Sequence, residues 1–259
     1  MTLLNSFQSV FRPNLFAGQT VLVTGGGSGI GRCTAHELAS LGAHVVLVGR
    51  NPDKLSATAQ EIIGDGGQAS WHSTDIRREG DVQAMVAQVV QQHGRIHGLV
   101  NNAGGQYISP LSKTSAKGWQ AVIDTNLTGA FRTVKRASKG MLKARFGRII
   151  LISSVVGLYG SAGQVNYSAS KSALVGMARA LGDRCPQIGR CRIRFELAGQ
   201  LGVFMTWELP VPHDPFAFTG NGVQPEVNEH PNLGVAPPRN ASFSLISGAD
   251  DCVDGGRRW

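Results

Sequence analysis

The chain has 259 residues, 42% of them hydrophobic, and a formal net charge of +8. A chain this long buries about three-quarters of its unfolded surface, so its core needs no disulfide or metal staple. No apolar run reaches the 18 residues of a spanning helix, and the basic residues are dispersed rather than clustered among aromatics, so neither a membrane nor a nucleic-acid partner is expected. The one basic stretch, Arg132 to Arg148, reads as a solvated helix face, with an electrostatic preference for an anionic substrate or carrier as the second reading.

Residues 1–16 lack the long apolar region of a secretory signal and read as an N-terminal arm. Phe11, Leu15 and Phe16 are its candidates for packing on the domain. From there to about residue 180, short apolar runs alternate with helical patterns. Strands are predicted at Thr20–Thr24, His44–Gly49, Ala69–Ser73, Gly98–Asn101 and Arg148–Ser153. Helices are predicted near Gly31–Leu41, Pro52–Ile63, Glu79–His93, Ser115–Lys143 and Tyr167–Leu181. Such alternation is the signature of βαβ units, so the expected fold is α/β, a single-domain doubly wound parallel sheet. The core spans residues 17–182. Residues 183–259 form an atypical substrate-loop region and the last strand of the same domain. Seven prolines between Pro210 and Pro238 argue against regular helices there, because proline removes a donor and breaks helix interiors. A structureless stretch this long is unusual in a packed domain, and a frame error in the coding sequence is a second explanation. The four cysteines, Cys33, Cys185, Cys191 and Cys252, form no CxxC pair. They read as reduced thiols in a cytoplasmic protein.

The first strand runs directly into GGGSGIG and then a helix. Gly25, Gly29 and Gly31 fall where the backbone must turn tightly and approach a pyrophosphate, and the helix N-terminus offers free N–H groups to it. A glycine triplet alone is weak, but this one follows a strand and opens a helix within a βαβ unit. Thr24, Gly25, Ser28, Gly29, Ile30 and Gly31 are therefore candidate cofactor contacts of a Rossmann fold. The second strand ends in VVLVGR. NAD sites usually carry an acid there for the ribose 2′-OH. Arg50 occupies that place, and a guanidinium pairs with a 2′-phosphate instead. NADPH is thus the expected cofactor, in preference to NADH. Asp75, ending the third strand, is placed to accept from the adenine amino group, with Ile76 beside it. Asn101, Ala103 and Gly104 end the fourth strand and would pass beneath the ribose and nicotinamide.

Tyr167 and Lys171 stand four apart near a helix start and share one face. A phenol is a poor acid–base catalyst at neutral pH, and a neighbouring ammonium favours its ionised form. Ser154 ends the preceding strand, within reach of a substrate carbonyl oxygen. Together they form a proton-transfer set for hydride addition to C=O. No metal site is expected.

TGGGSGIG, NNAG at Asn101–Gly104, Asn126 in TNLTG, Ser154 and the Tyr167–Lys171 spacing resemble the short-chain dehydrogenase/reductase family. The resemblance covers about residues 16–182 and returns in LISGADDCVDGG. It implies Tyr167 as catalytic acid/base, Lys171 on the nicotinamide ribose, Ser154 polarising the carbonyl and Asn126 holding a proton-relay water. It also implies a homo-oligomer, a dimer or tetramer, through the helices at Ser115–Lys143 and Tyr167–Leu181. Residues 147–181 look like β-ketoacyl-ACP reductases. Residues 9–131 are similar to enoyl-CoA reductase-like and citronellol dehydrogenase-like members. The family's N-x-x-x-P-G turn after the sixth strand is replaced by RIRFELAGQ, without the proline. The reading is an NADPH-dependent reductase of a small carbonyl or acyl-thioester substrate, a 3-oxoacyl thioester first. The alternatives are an enoyl-CoA reductase or terpenoid alcohol dehydrogenase, or an inactive dinucleotide-binding protein with a damaged C-terminal region.

Overall fold

The computed structural model describes residues 9–182, 192–198 and 204–206. Seven strands form one sheet in the order β3-β2-β1-β4-β5-β6-β7. They are β1 (Thr20–Thr24), β2 (His44–Gly49), β3 (Gln68–Ser73), β4 (Gly98–Asn101), β5 (Phe146–Ile152), β6 (Arg192–Ala198) and β7 (Phe204–Thr206). All neighbouring pairs are parallel except β6 with β7. β6 and β7 place two strands within the stretch expected to be irregular. The predicted last strand, the proline-rich region and the remaining cysteines lie outside the described residues.

The helices are α1 (Gly29–Ser40), α2 (Pro52–Gly64), α3 (Glu79–His93), α4 (Ala116–Ile123), α5 (Gly129–Ala144), α6 (Val156–Tyr159) and α7 (Val165–Gly182). Their start signals are local. Asn51 caps α2 by accepting from the Lys54 N–H at 3.1 Å, and Pro52 follows in the first turn. Ser115 caps α4 by accepting from the Gly118 N–H at 3.0 Å. The helix predicted across Ser115–Lys143 is broken in two. A π-helical turn, Asp124–Thr128, separates α4 from α5. An inserted residue of this kind leaves the apolar pattern nearly intact, which is why the sequence reads as one helix.

Two cores cover the two faces of the sheet, as the continuous apolar strands require. On one face, Leu22, Val46, Leu99, Ile149 and Leu151 pack against Val82, Met85, Val134, Met141 and Ala178 from α3, α5 and α7. On the other, Val21, Val23, Val45 and Leu47 pack against Ala35, Ala39, Leu55, Ala59 and Ile62 from α1 and α2. Of the three apolar residues expected to dock the arm, Phe16 packs on this second core, whereas Leu15 is exposed. Cys33 is disulfide-bonded, which corrects the expectation of reduced thiols; none of the other described residues is a cysteine. The chain leaves the sheet in opposite directions from β1 and β4, which are neighbours. Their C-terminal ends therefore open a crevice where ligands bind in folds of this kind.

Candidate active site

The crevice is a cleft of about 410 Å³. Its walls are built from the ends of β1, β2, β3 and β4. Gly25 and Gly29 adopt φ of +70° and +51°, a region that costs other residues energy. The Gly25 N–H donates to the Val48 carbonyl at 2.7 Å, which folds the turn back over β2. A Cβ on Gly31 would stand 2.3 Å from the Gly25 carbonyl oxygen, so the turn and the first coil of α1 touch backbone to backbone. Ser28 precedes α1 in extended backbone and its hydroxyl makes no capping bond. No acidic residue occupies the first turn. The N-terminal amides of α1 are thus left without a side-chain cap, as an anion-binding helix start requires.

Thr24 anchors the opposite wall. Its buried hydroxyl oxygen accepts from the N–H groups of Asn102 and Ala103, both at 3.0 Å. Asn102 returns its side-chain amide to the Thr24 carbonyl at 3.1 Å. Of the predicted cofactor contacts, Gly25, Ser28, Ile30, Arg50, Asp75, Ile76, Ala103 and Gly104 line the cleft. Asn101 does not. Its side chain turns into the protein, accepting from the Thr133 hydroxyl at 2.6 Å and donating to the Ala130 carbonyl. The neighbouring Asn102 lines the cleft in its place. Residues alternate faces along a strand, so a one-position error exchanges a cleft residue for a core residue.

Where the ends of β2 and β3 line the cleft, Arg50 is exposed. Asp75 is gripped by Arg77, which sequence reasoning missed. The Arg77 guanidinium meets both carboxylate oxygens, with Nε at 2.9 Å from Oδ1 and Nη2 at 2.6 Å from Oδ2. The Arg77 N–H adds a bond to Oδ1 at 3.0 Å. These hydrogen bonds hold the Asp75 pKa down to about 2, with a smaller contribution from Arg50.

The catalytic candidates do not line the cleft; Asn126 and Lys171 lie next to it at Gly104. Ser154 follows β5 and is buried, its oxygen accepting from the Val156 N–H at 3.3 Å. Lys171 is 4% exposed. Its ammonium donates to the Ile152 carbonyl at 2.6 Å and lies 5.6 Å from the centre of the Tyr167 ring. Burial pushes its pKa down to about 8. Asn126, in the π-turn, is buried and fully engaged at its amide. Nδ2 donates to the Gly105 carbonyl at 2.9 Å and to the Ser170 hydroxyl at 3.1 Å, while Oδ1 accepts from the Gly105 N–H at 2.8 Å. The β4 loop, the π-turn and α7 are thereby tied together. A Cβ on Gly104 would meet Asn126 Oδ1 at 3.2 Å and Lys171 Nζ at 3.6 Å, so the cleft reaches this set through a residue with no side chain. Gly105 and Ser170 carried no signal in the sequence beyond their neighbours.

Among the described residues there is no group of three or more metal-ligating side chains and no helix long and apolar enough to cross a membrane. The family model for short chain dehydrogenases matches residues 19–205. A 3-oxoacyl-[acyl-carrier-protein] reductase of Synechocystis sp. is 40% identical over 164 residues, which are 63% of this chain and 66% of that protein. The chain thus spans just under two thirds of the length of that relative. Among solved structures, a citronellol catabolism dehydrogenase of Pseudomonas aeruginosa superposes with a TM-score of 0.69 at 45% identity, covering 74% of this chain and 79% of that one. A metagenomic short-chain oxidoreductase in complex with NADP superposes with a TM-score of 0.68 at 35% identity, covering 71% of this chain and 82% of that one.

Proposed function

This chain belongs to the short chain dehydrogenase family, and from that premise we propose that it is an NADPH-dependent oxidoreductase that reduces a carbonyl, a 3-oxoacyl thioester first among substrates. One observation carries the reading: the buried Lys171 ammonium stands 5.6 Å from the Tyr167 ring and next to Gly104, which lines a cleft opened by a glycine turn. The cleft fits a dinucleotide. Its volume is in the range of small-molecule sites, and the turn beside it packs so closely that Gly31 admits no side chain against the Gly25 carbonyl.

The bound cofactor supplies a hydride to the carbonyl carbon. The remaining work falls to this chain. Tyr167 gives its hydroxyl proton to the carbonyl oxygen as the alcohol forms. Lys171 stabilises the negative charge left on the Tyr167 oxygen, and does so the more strongly for being buried. Ser154 donates to the same substrate oxygen. Asn126 holds the β4 loop and α7 in register. Both protons of its side-chain amide are already committed, so a relay water would rest on its main chain or on the second lone pair of Oδ1. Arg50 takes the 2′-phosphate, Asp75 the adenine amino group, and the α1 amides with Gly29, Ile30 and Gly31 the pyrophosphate. The chain acts as a dimer or tetramer in the cytoplasm, through the faces of α5 and α7.

The deciding assay follows NADPH oxidation with an acetoacetyl thioester. A 2-enoyl thioester and a terpenoid aldehyde serve as comparisons. The likeness to a citronellol catabolism dehydrogenase supports the terpenoid reading, and faster turnover of the aldehyde would select it. NADPH binding without turnover of any of the three would select an inactive dinucleotide-binding protein.

A further inference from the structure

The adenosine end of the cleft holds three charged side chains: Arg50, Asp75 and Arg77. Taken alone, their arrangement poses a problem for a 2′-phosphate. Asp75 is an anion in the same pocket, close enough to attract Arg50. A carboxylate free to pair with Arg50 would both occupy that guanidinium and repel the phosphate.

Arg77 removes the conflict. Its guanidinium forks across both Asp75 oxygens, the arrangement that holds a carboxylate most firmly. Its backbone is fixed from the other side as well, since the Arg77 carbonyl accepts from the Arg132 guanidinium of α5. Arg50, by contrast, makes no side-chain hydrogen bond or ion pair to any described residue.

We propose that Arg77 is a positioning residue for cofactor choice, which neutralises Asp75 and so keeps Arg50 available for the 2′-phosphate of NADPH. This rests on the reading of Arg50 as the phosphate partner. With Arg77 the three side chains sum to one positive charge. Without it they sum to zero, and Arg50 is the one remaining cation of the three to face Asp75.

The experiment measures dissociation constants for NADPH and NADH by protein fluorescence in wild type, Arg77→Ala, and the double variant Arg77→Ala/Asp75→Asn. Wild type should prefer NADPH by about tenfold or more. Arg77→Ala should bring the two cofactors to near equality, chiefly by weakening NADPH. The double variant should recover the preference, because the competing anion is gone. Asp75→Asn removes an adenine contact from both cofactors alike, so the ratio stays readable even where both affinities fall. An Arg77→Ala protein that keeps the full preference overturns the proposal. So does one that loses NADPH and NADH equally, which marks a merely structural residue, or a double variant without recovery. A wild type without any preference overturns the Arg50 reading itself, and is distinguished from the other outcomes before any variant is made.

Discussion

The side-chain amide of Asn126 donates to the Ser170 hydroxyl at 3.1 Å, joining a π-helical turn to the helix that carries Tyr167 and Lys171. Ser170 in turn donates to the Tyr167 carbonyl at 2.8 Å. The backbone beneath the Tyr167 phenol is therefore set by a residue 41 positions away in the chain, counting from Asn126 to Tyr167. A rigid support of this kind lets single substitutions in the site be read as chemistry rather than as local collapse.

The first such substitution is Tyr167→Phe. It keeps the ring and removes the hydroxyl. General acid catalysis supplies roughly 10²–10⁴-fold, so kcat should fall by about that factor. The NADPH dissociation constant should hardly change. Steady-state kinetics beside a fluorescence titration checks both, and full retained rate would dismiss Tyr167 as the donor.

Reduction should also lose efficiency in alkali. Lys171 is needed as the ammonium, and burial lowers its pKa to about 8. Below that value the group is charged; above it the charge is lost. The kcat/KM for carbonyl reduction should thus decline as pH rises through about 8, the pKa of the free protein. A profile that stays flat well into the range of an ordinary lysine would remove Lys171 from the mechanism.

Arg50→Ala tests the cofactor choice directly. The variant should bind NADPH at least about tenfold more weakly, a loss of about 1.4 kcal/mol. NADH affinity should stay within about twofold of wild type, since a lone surface cation adds little to binding. Equal losses for both cofactors would show that Arg50 does not read the 2′-phosphate.

Thr24→Val probes the frame of the cleft. The valine matches the shape but strands the N–H groups of Asn102 and Ala103, which both rest on the threonine oxygen. Leaving a buried donor unpaired costs about 1–3 kcal/mol. Both N–H groups are only partly buried, so urea unfolding should show a loss at the lower end of that range, and an unchanged midpoint would mean that water replaces the hydroxyl.

Much of this site is visible in the letters of the chain because its central strands are short runs with apolar middles between turn signals. β1, β2 and β4 begin and end where the runs do. β5 starts two residues early, at Phe146, because pairing with β6 extends it past the apolar stretch. Spatial pairings were harder to see. Nothing in the order Asp75-Ile76-Arg77 says that the arginine folds back on the aspartate. The choice between Asn101 and Asn102 turns on which face of the sheet each side chain meets. The π-turn at Asp124–Thr128 was hidden for the reason that makes it useful. One extra residue rotates Asn126 toward Gly105 and Ser170 without disturbing the apolar stripe.

The bonds from Thr24 to Asn102 and Ala103 close loops of 78 and 79 residues. Bringing such distant segments together carries an entropy penalty of about 4 kcal/mol. The glycine turn can form early as a local bend, but its far wall arrives only once β4 has docked beside β1. Dinucleotide affinity should therefore emerge late in refolding, in step with the slowest assembly of the sheet. A ligand held across that seam stabilises the whole chain against unfolding rather than one loop, by an amount set by its concentration relative to its dissociation constant.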